Sequence, residues 1–173
     1  MKKITRQHAI EMFRNLGAMA LGHMDEITLS ATLDNFDKCR KVQEDFQKLS
    51  EELAKRLYEG KDEEQKQKFF ELVMKLEREK EIEKRIEIET AMKETYPEFH
   101  ELYVKQLRVL TQMLYKEIEV DITEVDKDAF IAGIVKGKKD APVHEIVGFF
   151  APMFKEEEKK ETDFSELDEL LNC

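Results

Sequence analysis

The sequence predicts a mainly α protein: a long antiparallel helical hairpin of coiled-coil type, with a small two-stranded β element and additional packing helices. Three observations carry that reading. Apolar residues recur every three or four positions from Leu29 to Leu57, the spacing of one helix face. Two short stretches instead alternate Ile or Val with charge, as a half-buried strand does. Six glycines and three prolines against 39% charged residues leave little material for irregular loops and much for solvated helix.

In chain order, Thr5 is placed to cap a first helix running to about Leu21, with Ile10, Phe13, Leu16 and Met19/Ala20 on its inner side and Gly22 ending it. The strongest signal follows in Leu29, Leu33, Phe36, Cys39, Val42, Phe46, Leu49, Leu53 and Leu57. From Cys39 to Leu53 the steps run 3, 4, 3, 4, the seam of a coiled coil. A helix of this kind extends about 45 Å at 1.5 Å per residue, too long to be covered on every side in a chain of 173 residues. Gly60 closes it. Asp62, with Gln65 three residues on, opens the next helix through a capping box. Phe69, Leu72/Val73 and Leu76 are then expected to face back and complete a hairpin over 28–83.

Residues 84–90, "KRIEIET", set Ile86 and Ile88 between charged neighbours and read as a strand, with a frayed continuation of the preceding helix as the alternative. Residues 117–123 do the same with Ile118, Val120 and Ile122. The two are expected to pair, because each would satisfy backbone groups the other leaves open. Between them lies an amphipathic helix with Pro97 in its first turn and Phe99, Leu102/Tyr103, Gln106, Leu110 and Met113/Leu114 inward. Two short helices follow, Asp126–Val135 and Pro142–Phe150, and "IVGFFAPMF" is expected to pack over the hairpin, with a partner-binding patch as the alternative. The organisation is one helical domain over 1–155 and an acidic tail over 156–173.

Charge is uneven. The tail holds eight acids and two lysines, a local charge of −6, out of −10 for the whole chain. The near-neutral body lacks the clustered Lys and Arg that a phosphate backbone requires, so no direct nucleic-acid binding is expected. Its basic clusters are short: Lys2-Lys3 and Lys136/Lys138/Lys139. No apolar run approaches the length of a membrane span, and His8, Glu11 and Arg14 interrupt any signal-peptide core. Two cysteines, Cys39 and Cys173, do not make a disulfide scaffold. A soluble protein of a reducing compartment is expected.

The search for chemistry returns little. His8, His23, His100 and His144 fall in four different segments without a second ligand at i+3 or i+4, so neither a metal nor another cofactor is expected. Glu77/Glu81 and Glu79/Glu83 are carboxylate pairs at i,i+4, and helical nucleotide pyrophosphohydrolases hold magnesium with paired Glu-x-x-Glu motifs. Lys75, Arg78, Lys80, Lys84 and Arg85 are interleaved with them, which suits a solvated face of i,i+4 ion pairs better. There is no Gly-rich phosphate loop or nucleophile elbow. The chain does not read as an enzyme.

The tail sets Phe164, Leu167, Leu170 and Leu171 on one helical face among acids. Such a segment either solubilises the protein or docks in a basic-rimmed apolar groove. It is similar to the acidic tails of phage single-stranded-DNA-binding proteins, whose basic β-barrel body this chain lacks. Over residues 21–131, "LSATLDNFDKCRKVQEDFQKLSEELAKRLYEG", "DEEQKQKFFELVMKLEREKEIEKRIEIET" and "YKEIEVDITEVDKDAFI" together resemble a family of small phage and prophage helical-hairpin proteins of unknown function. That resemblance implies no catalytic residues. A long hairpin that cannot bury its whole apolar seam internally pairs with another copy or grips a partner, so the expected function is a non-enzymatic phage accessory protein working through protein–protein association, in particle assembly or as a virion component. Self-association would use Cys39, Val42, Phe46, Leu49 and Leu53; Phe164, Leu167, Leu170 and Leu171 would dock elsewhere. An inhibitor of a host protein such as a defence enzyme is the alternative, and a magnesium-dependent nucleotide hydrolase a weaker one. The expected setting is the bacterial host cytoplasm, or the virion if the gene is viral.

Overall fold

The computed structural model describes residues 1–155. Strand β1 (Lys2–Thr5) leads into helix α1 (Arg6–Ala18), and a 3-10 turn (Leu21–His23) leads into α2 (Glu26–Tyr58). Then come α3 (Glu63–Arg78), α4 (Ile82–Thr95), α5 (Pro97–Tyr115), β2 (Glu117–Val120), α6 (Lys127–Gly137), α7 (Val143–Phe149) and a closing 3-10 turn (Ala151–Met153). The architecture is the mainly α one that the apolar spacing predicts, with one small antiparallel sheet.

Local chemistry starts the helices where the sequence signals lie. Thr5 accepts from the His8 amide at 3.1 Å, Asp25 from Thr28 at 3.0 Å, Asp62 from Gln65 at 2.8 Å and Asp126 from Ala129 at 2.8 Å. Each bond satisfies an amide the first turn leaves open. Gly60, at φ +72°, reverses the chain between α2 and α3, a backbone conformation in which a Cβ is strained. The first helix is shorter than expected. Met19 caps α1, and the last apolar residues of that stretch enter the 3-10 turn instead.

The sheet is where sequence and structure part. Residues 84–90 lie inside helix α4 rather than in a strand. The strand that pairs with β2 is β1, in the register Lys2↔Val120, Lys3↔Glu119, Ile4↔Ile118 and Thr5↔Glu117. The physical reason lies in which isoleucine meets the core. Ile88, with Met92 four residues on, packs into an aromatic cluster, while Ile82 and Ile86 stay exposed. Spacing of i and i+4 is a helix face, and the Glu, Lys and Arg between are good helix formers. Arg85 also donates to the carbonyls of Leu76 and Glu79, both at 3.0 Å, and so ties the start of α4 to the end of α3. Near β1, Arg6 donates to the Met113 carbonyl at 2.6 Å, closing the C-terminus of α5.

Two separate cores result. One gathers Met12 and Leu16 of α1, Cys39 of α2, Val120 and Ile122, Phe130 and Ile134 of α6, and Phe150, Met153 and Phe154. The "IVGFFAPMF" stretch therefore packs inward as expected, and Phe154 bridges to Val125. The other core joins Tyr58, Phe69, Val73, Met92 and Phe99. There Phe70 meets Tyr58 edge-on at 5.2 Å and Phe69 meets Phe99 at 5.8 Å. Helix α2 threads both cores. The hairpin turn at Gly60 brings Phe69 and Val73 to the end of α2, and α3 also packs along α4. The long antiparallel companion of α2 is α5: Lys61 pairs with Glu98 at one end, and Phe46 meets Leu114 across a groove at the other.

Candidate functional site

The seam residues of α2 have three different fates. Cys39 is fully buried in the first core, where burial pushes its thiol up to about 11. It is a packed hydrophobe there, held away from thiolate chemistry. Val42 packs half-buried against the same core. Phe46, Leu49 and Leu53 then cross the span between the cores. Phe46 and Leu53 are half-buried, and Leu49 is 42% exposed.

That span is thinly covered on both helices. Between Cys39 and Tyr58, α2 buries no side chain completely, and α5 buries none after Phe99. Leu107 and Val104 of α5 are exposed at 46% and 42%. Two packed helices form a single layer, and a layer needs a second one to shield its apolar face. Helix α1 supplies that cover only at one end. There Ile10 and Arg14 of α1, Gln43 and Phe46 of α2, and Thr111 and Leu114 of α5 line a groove of about 310 Å³. Within it the Gln43 side-chain oxygen is buried with no hydrogen-bond partner among the described residues. An acceptor left this way costs about 1–3 kcal/mol until a donor reaches it.

A polar constellation that the sequence reading missed holds α2 to the segment after β2. Asn35, fully buried, donates from its amide to the Thr123 carbonyl at 2.8 Å and accepts from the Thr123 N–H at 2.7 Å. Lys38 donates to the Thr123 hydroxyl at 2.8 Å, and that hydroxyl donates to Asp34. Lys38 also pairs with Asp34 at 2.7 Å and Asp121 at 3.5 Å. Hydrogen bonds from Lys38 and Thr123 hold the Asp34 carboxyl below its ordinary range. The arrangement reproduces a strand-like pairing with a side chain and works as a clasp. Its signal in the sequence was an Asn amid the apolar face of α2, legible only once Thr123 is known to lie opposite.

A second groove, of about 680 Å³, opens between the C-terminus of α1, the end of α6 and α7. Met19, Ile134, Pro142, Ile146 and Phe149 give it an apolar lining, and Lys138 and Glu145 stand at its rim. On the neighbouring face of α7, His8 stacks on Phe149 at 4.9 Å and bonds to its carbonyl at 2.9 Å.

The carboxylate pairs do not form a shared face. Glu77 lies in α3 and Glu79 caps its end, whereas Glu81 caps α4 and Glu83 lies in it, so a helix break separates the members of each pair. The Glu79 carboxylate accepts from the amides of Lys80 and Glu81 at 2.8 and 2.9 Å, and Glu81 pairs with Lys84 at 2.9 Å. Among the described residues, no three His, Cys, Asp or Glu side chains are grouped to hold a metal ion. No described helix is long and apolar enough to cross a membrane. Phe164, Leu167, Leu170 and Leu171 lie outside the described residues. No protein-family model, curated protein or solved structure matches the chain.

Proposed function

We propose that the chain acts by protein–protein association, pairing with a second copy of itself across the α2–α5 layer, as an accessory component of an assembly such as a phage particle. The observation that supports this reading is the apolar surface that α2 and α5 leave exposed, at Leu49 between the cores and at Val104 and Leu107 beside the second core. A second copy laid across it would bury apolar surface worth about 25 cal/mol per Å² before the cost of association.

Light scattering coupled to size exclusion tests the reading. The expected result is a discrete multiple of the 20.5 kDa chain, reduced to monomer by Leu49→Lys. Lysine is tolerated at so exposed a helix position because its ammonium reaches water, so the variant keeps its helical circular dichroism. A wild-type monomer would overturn self-association. The same surface would then be read as the site where the chain grips and blocks a foreign protein.

A further inference from the structure

We propose that the groove between α1, α6 and α7 receives the chain's own C-terminal segment, residues 164–171. The groove has the volume of a site for one short apolar segment, about 680 Å³. Its floor is apolar, formed by Ile134, Ile146 and Phe149 among others. Phe164, Leu167, Leu170 and Leu171 form one apolar face when wound as a helix, a length of about 12 Å at 1.5 Å per residue.

Charge favours this occupant. Lys138 lines the groove, and Lys136 and Lys139 are near it in sequence, all exposed and without a carboxylate partner among the described residues. These three lysines are one of the body's two basic clusters, and the segment 156–173 carries −6. Glu145 also lines the groove, so the acids of the segment would lie away from it and toward Lys138. Chain geometry allows it. Phe150 lines the groove and Lys155 is the last described residue. Nine residues from there to Phe164 span up to about 30 Å extended. The inference stands apart from the α2–α5 reading and shares no residue with it.

The test uses the full chain carrying a nitroxide on Cys173. Cys39 is buried and its thiol is pushed up to about 11, so it resists labelling. The expected result is selective broadening of the amides of Met19, Ile134, Ile146 and Phe149 in the 15N spectrum. Phe164→Asp with Leu167→Asp should abolish it while leaving the rest of the spectrum in place, and raised salt should weaken it. Lys136→Glu with Lys138→Glu should weaken it as well. Groove amides that stay sharp, or broadening that survives the tail substitutions, would overturn the proposal. Broadening in a mixture of spin-labelled 14N chains and unlabelled 15N chains would assign the groove to another copy's tail and overturn it too.

Discussion

At the scale of single residues, close approach and hydrogen bonding decide more than residue class does. Gly133 sits in α6 against Met24: an added Cβ would lie 2.5 Å from Met24 Cγ and 3.1 Å from its Cα. Gly148 in α7 meets nothing within 4 Å. Glycine to alanine gains about 1 kcal/mol in a helix interior, whereas overpacking costs about 1–3 kcal/mol. Gly148→Ala should therefore raise the denaturation midpoint and Gly133→Ala lower it, as read by chemical unfolding. Both are glycines on helical stretches, and nothing in the sequence separates them. The clasp at Thr123 gives a pH prediction. Asp34 has a lowered folded value, so its contribution is complete above the ordinary carboxylate range near about 4. It is lost as pH falls through the lowered value. Asp34→Asn should flatten that part of the acid limb of a stability–pH profile.

Among the elements, α4 is the sharpest case. Alternation of Ile86 and Ile88 between charges was a fair strand signal, since a strand puts both on one face. In the helix they diverge: Ile88 packs against the second core and Ile86 is 59% exposed. Ile88→Ala should cost about 1–3 kcal/mol and Ile86→Ala close to nothing, where a strand would penalise both alike. Thermal unfolding of the two variants distinguishes these. Strand β1 shows the opposite failure. Ile4 between Lys3 and Thr5 is too short a pattern to announce a strand, and its partner Ile118 is 114 positions away. By contrast the caps at Thr5, Asp25, Asp62 and Asp126 depend on residues three apart. Three of those four helix starts, all but Asp25, were legible as signals in the sequence for that reason.

For the whole molecule, the governing feature is two cores joined by a layer without a buried centre. Local opening follows local burial, so amide exchange should show two protected bodies separated by faster exchange in the middle of α2 and of α5. Phe69→Ala, which removes a fully buried ring from the second core, should cost about 3–5 kcal/mol. Hydrogen exchange should show the loss concentrated in α3, α4 and the N-terminal half of α5, with α1 and α6 still protected. Uniform loss across the chain would mean that the two cores unfold as one unit.

The sequence by itself determined the helices other than α4, the caps at Thr5, Asp62 and Asp126, the reversal at Gly60 and the apolar stripe of α2, because each rests on residues within a few positions of one another. Tertiary structure decided which strand pairs with β2, that α5 lies along α2, and where the stripe is covered. It also decided that Asn35 reaches the backbone of Thr123. These choices depend on competition among surfaces far apart in the chain, and a periodic pattern records only that a face is apolar, not what will cover it. Cys39 and Leu49 belong to the same stripe, yet α1 and α6 happen to close over one end of α2 alone. One is therefore sealed and the other is exposed.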